Sequence, residues 1–266
     1  VVVKPELLED PFVSDSCQAL LDTLRLPTAA KASTPPSQSV AVIIPVRNEQ
    51  RDVLLHTVTS VFMNSGAELK AVVVVDDHSS AGRVAEWPEW TQDEPLRAIM
   101  KQKCAGGNFK QCLRIVRPKS RKGVAGAKAF GAHIFAEAHG QDSFHDSTVH
   151  TLVFVDAHVA VSPNWLLPLA HTLLEHPDAL VYPAIDIIDP ASGRLIKSDN
   201  VVGGFDWALG FRWEDAAKAE RLPKEGRIAG GGDRGADALL TSPAAPGILA
   251  MGTARYKALG GFDTNL

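Results

Sequence analysis

From Val40 onward the sequence alternates short apolar runs with stretches of helical periodicity, and this alternation is the feature that most limits the fold. An apolar run at residues 40–45 precedes a helical pattern over 53–63, and a second apolar run follows at 71–75. Short apolar runs between helical segments are typical of strands buried on both faces. The order strand, helix, strand therefore predicts an α/β fold with a mostly parallel sheet.

The same pattern continues along the chain. It predicts strands at residues 112–116, 151–155 and 248–251, and a helix over 124–139. Another helix is expected to follow Ser162 as its cap, with Pro163 in the first turn.

The less regular regions are interpreted differently. Residues 78–111 are interpreted as an insertion with one helix near 95–102. Residues 181–188 are interpreted as an extended run with a partner strand at 194–197. We expect a lead-in over 1–39, with a helix near 17–24, and one α/β domain over 40–266.

Charge and cysteine content narrow the class of protein. Lys and Arg total 27 against 31 Asp and Glu, which gives a net charge of −4 and argues against a nucleic-acid binder that relies on phosphate contacts. No apolar run approaches the roughly 20 residues of a membrane-spanning helix. There are three cysteines. Cys104 and Cys112 either close a small loop in an oxidising compartment or remain two free thiols, and the sequence favours neither.

Polar residues follow three of the expected strands. The segments are Pro45-Val46-Arg47-Asn48-Glu49, Asp76-Asp77-His78 and Asp156-Ala157-His158. In open α/β sheets, ligands bind beyond the carboxyl ends of the strands. These three segments are therefore the first candidates for a binding site.

Asp156 and His158 form the strongest candidate. Two residues apart at a strand end, their side chains can point the same way. A carboxylate and an imidazole, completed by phosphate oxygens, suit Mn²⁺ better than a structural zinc site. Taken alone, however, an Asp-x-His pair is more often a turn-capping Asp beside a solvated His.

Two other groups are weaker candidates. Asp76 and Asp77 can accept hydrogen bonds from a ribose or a base, or can simply end the strand. Arg121-Lys122-Gly123 precedes a helix and can meet a diphosphate through guanidinium, ammonium and helix N-terminus together, although a solvated basic turn is the commoner outcome.

The glycines at 230–235, within a Gly-rich loop at 219–238, predict a flexible loop. Four aromatic residues are expected to pack rather than to stack on a sugar, unless their segment lies at the cleft: Phe205, Trp207, Phe211 and Trp213.

Taken in order, these segments resemble the polypeptide N-acetylgalactosaminyltransferases, which initiate mucin-type O-glycosylation. Val75-Asp76-Asp77 resembles the family's Val-Asp-Asp, and Arg121-Lys122-Gly123 resembles its Arg-Glu-Gly. Residues 154–158, Phe-Val-Asp-Ala-His, resemble its metal motif. The most specific matches are Pro-Ala-Ile-Asp-Ile-Ile at 183–188 and Gly-Gly-Phe-Asp-Trp at 203–207, and Leu-Gly-Gly-Phe-Asp at 259–263 continues the series.

The resemblance implies a glycosyltransferase A fold, the Rossmann-like fold of nucleotide-diphospho-sugar transferases, here truncated at the C-terminus. It implies transfer of GalNAc from UDP-GalNAc to Ser or Thr of a polypeptide, with Mn²⁺ and with retention at the anomeric carbon. Family roles extend to Asp156 and His158 as metal ligands. They also extend to donor contacts at Asp77, Arg121 and Ala157, and to uridine-side contacts at Pro45 and Arg47. Retention is usually explained by same-face attack, so no protein nucleophile is assigned.

Several positions depart from the family pattern. Arg47 stands for the usual His, Pro45 for Thr and Lys122 for an acid, and Pro246 occupies a position close to the sugar where the family has Gly. Two alternatives follow, a transferase of the same fold with another UDP-sugar and a catalytically dead relative that serves as a binding module. The family's third metal ligand is expected beyond Leu266, so this chain alone is expected to be inactive or nearly so. The resemblance also implies a type II Golgi enzyme whose membrane anchor lies outside this segment.

Overall fold

The computed structural model describes ten stretches of the chain and their secondary structure. They are residues 39–80, 82–88, 90, 94–104, 112–136, 149–183, 185–189, 195–196, 201–215 and 247–264. The helices are α1 (Arg51–Asn64), α2 (Glu94–Lys103), α3 (Gly123–Ala136), α4 (Leu166–Glu175) and α5 (Thr253–Ala258), with a 3₁₀ turn at Val84–Glu86. The strands are β1 (Ser39–Val46), β2 (Leu69–Asp76), β3 (Leu113–Val116), β4 (Val149–Phe154), β5 (Leu180–Val181), β6 (Ile187–Ile188), β7 (Leu195–Ile196), β8 (Val201–Phe205), β9 (Phe211–Asp215) and β10 (Leu249–Gly252).

A six-stranded sheet forms the centre of the fold, in the order β3-β2-β1-β4-β10-β5. Strands β1 to β4 are parallel, and β10 runs antiparallel to both of its neighbours. Along β1, Val40, Val42 and Ile44 face one apolar cluster, which α1, α2 and α4 complete. Ala41 and Ile43 face a second cluster with α3 and α5. Both faces of the sheet are covered by helices, which confirms the predicted mostly parallel α/β fold.

The helix after β4 begins later than the sequence predicts. It starts at Leu166, and the residue before it, Trp165, makes no side-chain capping hydrogen bond. Asn164 has a φ of +59°, a left-handed conformation that interrupts a helix between Pro163 and Trp165. Ser162 instead accepts a backbone hydrogen bond from Trp165 at 3.3 Å. The prediction of Ser162 as the helix cap is therefore wrong.

The region after β5 is also divided differently. The expected extended run at 181–188 becomes two short strands in separate sheets, β5 and β6. The predicted pairing with the following segment is confirmed, because Ile187 lies opposite Ile196 and Ile188 opposite Leu195.

Strands β8 and β9 form a hairpin that the sequence did not predict. Phe205 pairs with Phe211 across it, and the Phe211 and Trp213 rings lie edge to face with centroids 5.1 Å apart. Yet Phe211 and Trp213 are about half exposed, and Trp207 is fully exposed. The expected packing is confirmed within the hairpin for Phe205, Phe211 and Trp213, whereas Trp207 is exposed, and the hairpin is a separate two-stranded sheet.

Cys104 and Cys112 form a disulfide, with Cα atoms 5.7 Å apart, which resolves the alternatives that the sequence left open. It links the end of α2 to the start of β3. Among the described residues, no helix is both long and apolar enough to cross a membrane. The lead-in, apart from Ser39 at the start of β1, lies outside the described residues, as do its helix near 17–24, the glycine-rich loop at 219–238 and Pro246.

Candidate functional site

The sheet topology brings the predicted strand-end segments to one edge. The four parallel strands β1 to β4 all end there. The antiparallel strand β10 begins there, since Leu249 pairs with Phe154 at the end of β4. The residues that follow β1, β2 and β4 therefore lie at the same edge as Gly247 and Ile248. This is the edge at which ligands bind in open α/β sheets.

At the end of β2, Asp76 is fully engaged in structural hydrogen bonds. Its carboxylate is buried and accepts backbone N–H groups of Ser79 at 2.9 Å and Val84 at 3.2 Å. The guanidinium of Arg117 lies 2.8 Å from the same carboxylate. Asp76 therefore builds the turn after β2, and of the two interpretations of this residue the strand-ending one is correct. The sequence did not single out Arg117 as its partner.

The next carboxylate, Asp77, caps α3. Its two oxygens accept N–H groups of Lys122 at 2.6 Å and Gly123 at 2.9 Å. Gly123 has a φ of +72°, which favours glycine at this entry to the helix. Asp77 therefore occupies these two backbone donors at the start of α3, and the contact of this segment with a diphosphate stays a prediction. Each oxygen of Asp77 keeps a second lone pair, and its contact with a donor substrate stays a prediction.

The basic side chains beside this cap are placed differently from its backbone. Arg121 and Lys122 are exposed, and the bond from the Lys122 backbone to Asp77 holds the segment against the end of β2. The Arg121 backbone therefore lies near the end of β2, and the contact of its side chain with a donor stays a prediction.

The loop after β1 is fixed to the loop after β2. The Asn48 N–H donates to the Ser79 hydroxyl at 3.0 Å, and the Asn48 side-chain oxygen accepts the Ser80 N–H at 2.7 Å. Pro45 is half-buried at the end of β1, and Arg47 is exposed beside it. Both residues lie at the expected edge, and their contact with a uridine stays a prediction.

The segment after β4 carries the predicted metal ligands. Asp156 and His158 are half-buried on either side of the buried Ala157. The His158 Nδ1 lies 2.9 Å from a carboxylate oxygen of Glu49. Because a carboxylate only accepts hydrogen bonds, Nδ1 donates and the Nε2 lone pair is left for a metal. Metal-binding histidines commonly have such a partner, so Glu49 is a candidate site residue that the sequence did not single out beyond its place in the loop motif.

Asp156 lies between a glycine and a buried lysine. The Lys128 ammonium on α3 donates to the Gly247 carbonyl at 2.9 Å. Burial lowers the pKa of Lys128, and the nearby Asp156 acts against this shift. A Cβ on Gly247 would collide with the Asp156 carboxylate, so a larger residue there would force this carboxylate to move. A lysine within an alanine-rich apolar helix was the sequence signal for Lys128, and it was missed.

The donor set at this site fits Mn²⁺. Within the described part of the chain, the Asp156 carboxylate has no hydrogen-bond partner, and Nε2 is the nitrogen of His158 turned away from Glu49. One carboxylate oxygen and one imidazole nitrogen, with phosphate oxygens and water, suit this ion. The described residues contain no cluster of three or more potential metal ligands, and the assignment of Asp156 and His158 as ligands stays a prediction.

Comparison with known proteins supports the resemblance. Residues 41–232 match the model of glycosyl transferase family 2. The chain is 32% identical over 240 residues to polypeptide N-acetylgalactosaminyltransferase 11 of Xenopus tropicalis, covering 89% of this chain and 34% of that protein. It is 28% identical over 244 residues to the inactive polypeptide N-acetylgalactosaminyltransferase-like protein 5 of Macaca fascicularis, covering 91% of this chain and 45% of that protein.

The fold comparison agrees. The crystal structure of GalNAc-T7 with UDP, GalNAc and Mn²⁺ superposes with a TM-score of 0.62 at 22% identity, covering 86% of this chain and 37% of that one. This likeness shows the glycosyltransferase A fold. The chain spans about a third of the length of the first curated relatives that it matches.

Proposed function

Because the chain belongs to glycosyl transferase family 2, we propose that it transfers GalNAc from UDP-GalNAc to Ser or Thr hydroxyls of a polypeptide, with Mn²⁺ and with retention at the anomeric carbon. The donor, the ion and the polypeptide acceptor come from the names of its relatives and from the solved structure with UDP, GalNAc and Mn²⁺. Residues 40–266 form the catalytic domain in this proposal.

One observation supports the proposal most strongly. The His158 imidazole at the end of β4 donates through Nδ1 to Glu49 at 2.9 Å, beside the half-buried Asp156 carboxylate. This is the arrangement of a metal-ligating histidine with its orienting carboxylate. Its place at the carboxyl edge of a parallel sheet is where nucleotides bind in such folds.

In the proposed mechanism, Asp156 and His158 are the residues that would hold Mn²⁺. The chemistry that the ion supplies when bound is neutralisation of the charge that builds on UDP as the glycosidic bond breaks. Glu49 orients the imidazole, and Lys128 fixes the Gly247 backbone beside Asp156.

The remaining assigned residues hold the donor itself. Asp77, Arg121 and Ala157 contact it, and Pro45 and Arg47 line the uridine side. The exposed guanidinium of Arg121 offers paired N–H donors to the diphosphate. The acceptor hydroxyl attacks the anomeric carbon on the face that UDP leaves and gives its proton to the departing diphosphate, so retention needs no protein nucleophile.

The experiment that tests this proposal is a transfer assay with a Thr-containing peptide, UDP-GalNAc and millimolar Mn²⁺. We expect GalNAc on the Thr hydroxyl, detected by mass spectrometry, with an α linkage by NMR and no product after chelation by EDTA. Residues 1–266 alone are expected to transfer slowly or not at all, so a longer natural protein that carries this chain is assayed in parallel. A typical enzymatic rate from residues 1–266 would contradict this last expectation.

Two other outcomes would replace the proposal. Preferred hydrolysis of UDP-Glc or UDP-GlcNAc over UDP-GalNAc would indicate a transferase for another sugar. Absence of UDP binding at millimolar Mn²⁺ in both proteins would indicate a binding module, a possibility that the inactive macaque relative makes concrete.

We also propose that the protein works in the Golgi lumen, held by a type II membrane anchor outside this segment. The Cys104–Cys112 disulfide supports an oxidising compartment. Fluorescence colocalisation and protease protection in intact vesicles test the proposal, which a cytosolic, protease-sensitive protein would contradict.

A further inference from the structure

A row of polar groups on α1 holds the backbone that follows β4. Thr57, Ser60 and Asn64 lie on one face of this helix at spacings of three and four residues. The Val161 N–H donates to the Ser60 hydroxyl at 3.4 Å, and the Asn64 amide donates to the Val161 carbonyl at 2.7 Å. Further along, the Asn164 N–H donates to the Asn64 carbonyl at 2.8 Å. The helix thus provides the hydrogen-bond partners that this irregular segment lacks.

Thr57 stands at the end of this row that is nearest to the candidate metal ligands. Its side chain is fully buried. Its hydroxyl lies 3.0 Å from the Ala157 carbonyl, to which it donates, and accepts the Val159 N–H at 3.0 Å. The same hydroxyl oxygen also lies 3.1 Å from the Val53 carbonyl oxygen, so the carbonyls of Val53 and Ala157 share the one hydroxyl hydrogen.

These two contacts flank His158. The Ala157 carbonyl belongs to the peptide unit before the His158 Cα, and the Val159 N–H belongs to the unit after it. Because each peptide unit is planar, anchoring both units to one hydroxyl fixes the backbone dihedrals of His158 and hence the direction of its Cα–Cβ bond. Glu49 then fixes the ring from its Nδ1 side.

Removing the hydroxyl leaves buried backbone groups without a partner. Ala157 and Val159 are each 6% exposed, so the loop must move to reach water once the hydroxyl is gone. Such a movement displaces the backbone of His158 before it affects the rest of the sheet.

We propose that Thr57 is a positioning residue for the metal site, acting through the two peptide units that hold His158. The proposal rests on the proposed function for the metal itself. In this proposal, Thr57 sets the orientation of the His158 imidazole in addition to packing α1.

The test compares Thr57→Val, which keeps the shape and loses the hydroxyl, with Thr57→Ser, which keeps the hydroxyl. Ser65→Ala is the matched control, because Ser65 has a buried hydroxyl that accepts the Trp165 indole N–H at 3.0 Å, seven residues beyond His158. The readouts are the Mn²⁺ Kd in the presence of UDP and the imidazole ¹⁵N and ¹H shifts of His158 in metal-free protein.

We expect Thr57→Val to raise the Mn²⁺ Kd about 10-fold, as loss of other groups that orient metal ligands does, and to move the His158 resonances. Thr57→Ser and Ser65→Ala should remain within about 2-fold of wild type in Kd. An unchanged Kd and unchanged His158 resonances in folded Thr57→Val, or an equal loss in Ser65→Ala, would overturn the proposal.

Should Thr57→Val fail to fold, Thr57→Cys decides by the same comparison, since a thiol has nearly the same size and hydrogen-bonds weakly. If wild type itself shows no Mn²⁺-dependent UDP binding, the proposed function fails. If wild type binds and Thr57→Val binds equally well, the positioning role alone fails.

Discussion

The ends of β2 and β4 look alike in sequence and differ in what their side chains do. Each strand is a buried apolar run followed by an aspartate, and both end at the same edge of the sheet. At β2, the two carboxylates of Asp76 and Asp77 bind four backbone N–H groups and one guanidinium. At β4, within the described residues, Asp156 has no hydrogen bond. Carboxylates that build turns and caps stabilise the fold, whereas one that is left open is suited to a ligand.

The largest expected effect of this difference is on stability at Asp76. Asp76→Ala leaves Arg117 and two backbone N–H groups without their partner, and breaking such a buried pair costs about 3 kcal/mol of unfolding free energy. The matched change Asp156→Asn should cost about 1 kcal/mol or less. Urea unfolding measures both free energies, and equal losses would contradict the different roles assigned to the two strand ends.

A change at Glu49 tests the proposed ligand-binding role of the end of β4. Glu49→Ala removes the acceptor at His158 Nδ1 and should weaken Mn²⁺ binding in the presence of UDP about 10- to 100-fold. The unfolding midpoint should hardly change, because the pair is partly exposed. Glu49→Gln keeps an acceptor and should recover part of the affinity. A normal Mn²⁺ Kd in Glu49→Ala would mean that the imidazole is oriented by something else.

Asp77 should behave as a helix cap of intermediate effect. Asp77→Ala leaves the Lys122 and Gly123 N–H groups of α3 uncapped, which costs about 1 kcal/mol in unfolding experiments. Asp77→Asn keeps one acceptor oxygen and should cost less. UDP affinity measured on both variants separates the cap from the predicted donor contact, since a contact would weaken UDP binding in Asp77→Asn more than its stability loss explains.

The smallest expected effect concerns acid sensitivity at His56 on α1. Burial lowers the pKa of His56, so the unfolded chain takes up a proton more readily than the native one. Its contribution to stability is therefore present above the unfolded pKa of about 6.5 and is lost as the pH falls through the native pKa. His56→Asn should flatten this part of the pH dependence of unfolding. An unchanged profile would assign the acid sensitivity to other groups.

Much of the fold and part of the site follow from local sequence. The strands and helices between residues 40 and 136 repeat at short periods that a single sequence shows, and the polar residues after β1, β2 and β4 mark the site edge. The contacts that distinguish the two strand ends join distant residues. Glu49 and His158 are 109 residues apart, and Lys128 and Gly247 are 119 apart. No periodicity reports such pairs.

The exposed aromatic residues show the same limit. Phe211 and Trp213 carry large apolar side chains, and residues of this type are usually buried. Within the described residues, their strand β9 pairs with β8 alone, so burial there depends on which sheet the segment joins, and composition does not determine that.

The most direct test of the open carboxylate at β4 is calorimetric titration of UDP into wild type and Asp156→Asn, each with millimolar Mn²⁺ and then with EDTA. The proposed site predicts that UDP binds wild type with Mn²⁺, that binding is lost with EDTA, and that Asp156→Asn weakens it at least about 10-fold. UDP affinity that is the same in both proteins, or unaffected by EDTA, would contradict the assignment of the metal site to the end of β4.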